Sequence, residues 1–179
     1  MKKFLFMLAV AGLMAGFSGK SAAQDTNTAD DALSLTLPEI KVLDLPTNGI
    51  TLLFVAPEAG SPVAAVKDTS FINYTSIQTT STHKITVALD SDVPSGTTLN
   101  LVAEAHEGTG GGSGYGTMAA EAAISHTARD LITAIPSCWT GDGPENGSKL
   151  IYTWSINSGY TAVASTGSRT ATYTMILTP

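Results

Sequence analysis

Near the end of the chain stands Ala171-Thr172-Tyr173-Thr174-Met175-Ile176-Leu177, a run in which Ala171, Tyr173, Met175 and Leu177 fall on alternate positions between polar threonines. In an extended chain successive side chains point to opposite faces, so a period of two marks a strand with one face buried. The same reading extends back along the sequence. Leu150, Tyr152, Trp154 and Ile156 alternate, as do Ile85, Val87 and Leu89, and Leu99, Leu101 and Ala103. Phe71 to Thr75 is a short strand pattern. Ile50 to Val55 is a nearly continuous apolar run, suited to a central sandwich strand, and Ile40 to Leu45 is again extended. Between Ala119 and Ile135 the alanines permit a helix, but Ile124-Ser125-His126-Thr127 and Leu131-Ile132-Thr133 favour two short strands.

Turn chemistry separates these runs. Pro46-Thr47-Asn48-Gly49, the 56–62 segment with Pro57 and Pro62, Asp90 to Gly96 and Thr140 to Gly147 combine residues that preset φ or tolerate its positive values. Gly108 to Gly116 holds six glycines in nine residues and reads as a long exposed loop. About eight to ten short strands without strand–helix alternation predict an all-β fold, a β-sandwich with Greek-key connections.

The N-terminus predicts export. Lys2 and Lys3 precede an uncharged apolar run, Phe4 to Phe17, and small residues at Ser21 and Ala23 fit a signal-peptidase site. Cleavage after Ala23 is expected. The run is shorter than the roughly 20 residues of a spanning helix, and no later segment is apolar enough to cross a membrane. Loss of residues 1–23 removes Lys2, Lys3 and Lys20, leaving six basic against fifteen acidic residues and a formal charge of about −9. Such a surface repels nucleic acid and anionic lipid. A polar leader over 24–31 then precedes a single domain, 32–179, which opens on Leu33, Leu35 and Leu37 alternating with polar neighbours. The destination is the cell surface or the medium, with the periplasm as the other exported compartment.

Chemistry-bearing constellations are sparse. Ser125, His126 and Asp130 share one short stretch, whereas hydrolytic triads assemble from separate elements around a strained nucleophile turn. His83, His106 and His126 are about twenty residues apart, unlike zinc ligands set at short spacing. The acidic turns around Asp90 and Asp92, and around Asp142 and Glu145, carry oxygen ligands but no EF-hand spacing. The single Cys138 precludes an intrachain disulfide and reads as a buried residue beside Trp139. No catalytic residue, metal ligand or cofactor site is assigned, and the protein is not expected to be an enzyme. Trp139 and the glycine-rich loop with Tyr115 form the candidate ligand loop, suited to a glycan. Asn73-Tyr74-Thr75 and Asn146-Gly147-Ser148 match the glycosylation acceptor pattern.

The leader, the Leu33/Leu35/Leu37 segment, the Val93-Pro94-Ser95-Gly96-Thr97 turn and the final strand Arg169 to Met175 together resemble bacterial fimbrial subunits, in particular the spore-coat-U-like secreted domains. The resemblance implies an incomplete immunoglobulin-like sandwich that polymerises when the N-terminal extension of one subunit fills a groove in the next. Leu33, Leu35 and Leu37 would be the donor-strand anchors, other copies of the chain the partners, and an assembly chaperone a further one. The chain departs from chaperone-assembled pilins in its single Cys138 and in the Thr178-Pro179 ending, which lacks their aromatic. The alternative reading of residues 32–37 is the domain's own first strand, and the alternative function is a monomeric extracellular module that binds a glycan or a protein through its loops.

Overall fold

Period-two apolar patterns satisfy their backbone polar groups in ladders and bury one face, and in the computed structural model they do so as two antiparallel sheets packed face to face. The structure describes residues 32–46 and 49–178; the expected signal peptide, the 24–31 leader and positions 47 and 48 of the predicted 46–49 turn lie outside them. Eleven strands and no helix occur among the described residues: β1 (Ile40–Asp44), β2 (Val66–Ile77), β3 (His83–Leu89), β4 (Thr97–Glu107), β5 (Gly111–Gly112), β6 (Thr117–Met118), β7 (Ala122–Ala123), β8 (Arg129–Ile135), β9 (Cys138–Trp139), β10 (Gly147–Ile156) and β11 (Ala171–Leu177). The protein is an all-β sandwich.

The larger sheet has the order β5-β9-β2-β10-β4-β7, with β1 also on β2, and the smaller has the order β11-β3-β8-β6. The long β2 organises the first. Its Val66–Ile72 half pairs with β10, while Thr75 pairs with both Val42 of β1 and Trp139 of β9, which places β1 and β9 on opposite edges of that strand. Ile72, Leu101 and Leu150 from one sheet meet Ile85, Leu131, Ile132 and Ile135 from the other, all fully buried. At ~25 cal/mol per Å² of apolar surface removed from water, this interdigitated layer is the main stabilising term.

Three predicted strands are absent, over 50–55, 32–37 and 124–127; in the last case the ladder is made one step earlier, by the two-residue β7, and 124–127 turns the chain towards β8. Ile50–Val55 forms no ladder, although its alternation survives: Ile50, Leu52 and Phe54 are half-buried while Thr51, Leu53 and Val55 face solvent. Its one backbone anchor to β2 is the Thr51 amide, which donates to the Asp68 carboxylate at 3.0 Å. A run with one solvated face is not a central strand, and the expectation is corrected accordingly. Residues 32–37 also form no strand, so they are not the first strand of the sandwich in this structure. Conversely, the glycine-rich segment expected as a pure loop contributes β5, because backbone lacking side chains can be laid against β9.

A buried polar chain ties the sheets together at one end. Ser76 of β2 and His83 of β3 are fully buried, with Ser76 Oγ 2.7 Å from His83 Nδ1. His83 Nε2 donates to the Glu39 carboxylate at 2.8 Å; Nε2 carries the hydrogen because an ionised carboxylate only accepts. Lys41 Nζ adds an ion pair to Glu39 at 3.1 Å. The His83 hydrogen bond, then Lys41, hold the Glu39 carboxyl below its ordinary range. Residues of β1, β2 and β3 are thereby clamped just where the chain enters the domain at Pro38.

Candidate functional site

The sandwich is not closed along β11. That strand pairs with β3 over its whole length, Ala171↔Leu89 to Leu177↔His83, and no described strand occupies its other edge. Beside its first residues a cleft of about 630 Å³ opens between the sheets. Leu45, Ile50 and Leu52 line one side and Ala171 and Tyr173 the other. Leu89, Leu99 and Ile124 reach the cleft from inside the core, and the 165–170 segment forms its rim. Alternation builds this wall: Ala171 and Tyr173 point inward, Thr172 and Thr174 outward.

At the cleft the Tyr152 and Tyr173 hydroxyls hydrogen-bond to each other, linking β10 to β11 across the two sheets. Burial pushes both phenols above the ordinary tyrosine range, Tyr173 furthest. Trp154 packs against Phe54 with the rings tilted by 34° and their centroids 4.3 Å apart, and its indole N–H is buried without a hydrogen-bond partner among the described residues. At the rim, Arg169 Nε donates to the Asp92 carbonyl at 2.7 Å. The Asp92 carboxylate accepts from His126 Nδ1 at 2.7 Å, which together with the His126 backbone amide holds its pKa low. These contacts fix the rim without closing the opening. The chemistry on offer is apolar burial plus a free strand edge. Among the described residues no nucleophile–base pair lines the cleft.

The sequence-predicted residues fall in three places. Leu33, Leu35 and Leu37 are 80%, 90% and 74% exposed. Trp139, on β9, is half exposed. Tyr115 stacks on His106 at a centroid distance of 3.7 Å and an interplanar angle of 12°, and its carbonyl accepts a hydrogen bond from the Tyr74 hydroxyl. A Cβ built at Gly110 would meet Tyr115 Oη at 2.7 Å, His106 Nε2 at 2.8 Å and the Trp139 carbonyl at 2.9 Å, so the fold gathers Trp139, Tyr115 and His106 around one loop.

Other candidates resolve into structural roles. Ser125 Oγ accepts from the Thr127 amide, His126 binds Asp92, and Asp130 pairs with Lys84, so these three do not assemble a triad. The three histidines belong to three separate networks, and no cluster of three metal-ligating side chains exists among the described residues. Cys138 is buried and its thiol is pushed up to about 11 by desolvation. Asn73 is buried and donates to the Gly143 carbonyl at 3.0 Å, so the folded domain does not present it as a glycosylation acceptor. Sequence reading missed the cleft itself. Tyr152 and Tyr173 stand there only as members of two separate alternating runs, and nothing local says that two strands far apart in sequence frame one opening.

The class defined by this fold and site is an all-β sandwich with an apolar cleft beside an unpaired edge strand. Comparison with protein-family models finds no matching family, and comparison with curated proteins finds no match.

Proposed function

We propose that the protein is an exported structural subunit that self-associates into filaments or matrix by strand donation: Leu33, Leu35 and Leu37 of one copy enter the cleft beside β11 of the next. The observation that carries this reading is a pairing of complementary surfaces in one chain. Three alternating leucines lie outside every described strand and are mostly exposed, while the same chain holds an apolar cleft along a strand edge with unused N–H and C=O groups. An added strand supplies backbone hydrogen bonds to such an edge and places alternate side chains in the cleft. At ~3.3 Å per residue, Leu33 to Leu37 spans about 13 Å. Burying three leucines is worth roughly 5–9 kcal/mol before ordering costs. Export through residues 1–23 and an immunoglobulin-like Greek-key arrangement belong to the same reading.

The test uses mature protein with and without residues 24–37. Full-length mature protein forms concentration-dependent polymers visible by electron microscopy, and the truncated form stays monomeric. A synthetic peptide of residues 32–38 then binds the truncated form and raises its melting temperature. Polymers from the truncated protein, or a peptide without effect, would sink the proposal.

A further inference from the structure

The outer face of the larger sheet carries a second surface that strand donation does not use. Val42 of β1, Thr75 of β2, Trp139 of β9 and Gly111 of β5 are successive register partners. Directly opposed residues of antiparallel strands present their side chains on one face, so these four form a single row across four strands. Trp139 and Val42 are 50% and 55% exposed. The indole has bare backbone beneath it: a Cβ at Gly111 would stand 2.6 Å from Trp139 Nε1 and 3.0 Å from Cε2. Behind it, the stacked pair His106–Tyr115 packs the loop, with His106 Nε2 3.3 Å from the Thr140 carbonyl. The row is thus a flat, exposed indole held on a rigid ladder. Its register partners on either side, Thr75 and Gly111, carry a short side chain and none.

Two polar residues share this face with the ring. Thr75 is its immediate neighbour, with Cβ atoms ~5 Å apart for opposed pairs. Asp44, exposed and two residues beyond Val42 on the same face of β1, lies about 12 Å from Trp139 by strand spacing and rise. A flat apolar face beside a hydroxyl and a carboxylate complements a pyranose, whose C–H groups stack on the indole while its hydroxyls bond to the rim. The distance from Trp139 to Asp44 suits two linked sugar rings. The acidic balance of the chain, fifteen Asp and Glu against nine Lys and Arg, disfavours polyanions. An apolar lipid surface would have to bury the Asp44 carboxylate unpaired, which is costly. We infer that the Val42–Thr75–Trp139–Gly111 row is a binding platform for a neutral, hexopyranose-based polysaccharide.

The experiment titrates mature protein carrying Leu35→Asp, chosen to suppress self-association, with cellohexaose, maltohexaose and chitohexaose, and with oligogalacturonate as the anionic control. Binding is followed by calorimetry and by tryptophan fluorescence, to which only Trp139 and Trp154 contribute. At least one neutral hexasaccharide binds and oligogalacturonate does not. Trp139→Ala and Gly111→Ala each weaken that binding about tenfold or more, the scale of one lost stacking contact, while Trp139→Phe retains part of it. Gly111→Ala is the sharper variant because it keeps the tryptophan and only displaces the ring, and its melting temperature reports folding independently. No binding of any neutral hexasaccharide at millimolar concentration overturns the inference. So does binding that survives both Trp139→Ala and Gly111→Ala, preference for oligogalacturonate, or partition into phosphatidylcholine vesicles with no saccharide binding. A failure here leaves the polymerisation test untouched, since that test reads a different face.

Discussion

Glu39 and the buried tyrosines set how the domain responds to pH, in opposite directions. The carboxyl of Glu39 is held low by His83 and Lys41, so its contribution to stability is complete above the unfolded carboxylate value and is lost as pH falls through the lower folded one. Glu39→Gln should therefore destabilise the domain at pH 7 and by progressively less below about pH 4.5, measured as the difference between wild-type and variant melting temperatures from pH 7 to pH 3. Tyr74, Tyr152 and Tyr173 are raised above their ordinary value, burial being the first cause in each. Their contribution is complete below the unfolded tyrosine value of about 10 and fades as the solution becomes more alkaline. Spectrophotometric titration should show these three phenols ionising together with unfolding. Ionisation of these three phenols in the ordinary tyrosine range without unfolding would contradict the packing described. None of the individual partners was legible in the sequence: His83, Ser76 and Glu39 are unremarkable there, and only the pairing of β2 with β1 and the stacking of sheets bring them within hydrogen-bond distance.

Among the elements, the β9–β10 junction shows how local chemistry and tertiary fit combine. The predicted turn from Thr140 to Gly147 lets one edge of β2 be covered first by β9 and then by β10. Gly147 closes it with a φ of 84°, and a Cβ there would lie 2.2 Å from the Ile72 carbonyl oxygen. Gly147→Ala should consequently cost about 1–3 kcal/mol or more through strain and displacement of the ladder, read from urea unfolding. An unchanged midpoint would show that the junction is adaptable. The strand patterns at 84–89, 150–156 and 171–177 were visible in sequence because alternating apolar residues line the inward face of each, and β3, β10 and β11 cover them, although Leu177 at the end of β11 is exposed. Ile50 to Val55 misled for a physical reason. Its pattern registers apolar content, yet whether a run joins a ladder depends on a partner edge at the right distance, and here the Asp68 carboxylate takes the Thr51 amide instead of a backbone carbonyl.

For the whole molecule, the proposed donor and acceptor surfaces lie on separate parts of one chain, so each can be disabled alone. Leu35→Asp should abolish donation by putting a charge into the apolar cleft. Ala171→Trp should abolish acceptance by filling the opening that Ala171 lines. Neither variant should polymerise by itself, and an equimolar mixture should yield heterodimers by analytical ultracentrifugation. Polymers from either variant alone, or a mixture that remains monomeric, would contradict strand donation. The sequence by itself determined the all-β class, most strand positions and the leucine alternation of 33–37, because these rest on period-two patterning, which is local. Only the tertiary structure decided where the sandwich stays open, that Tyr152 and Tyr173 meet across it, and that Val42, Thr75, Trp139 and Gly111 share a row. Those are relations among residues many positions apart, set by strand register and sheet stacking, and no local pattern encodes them.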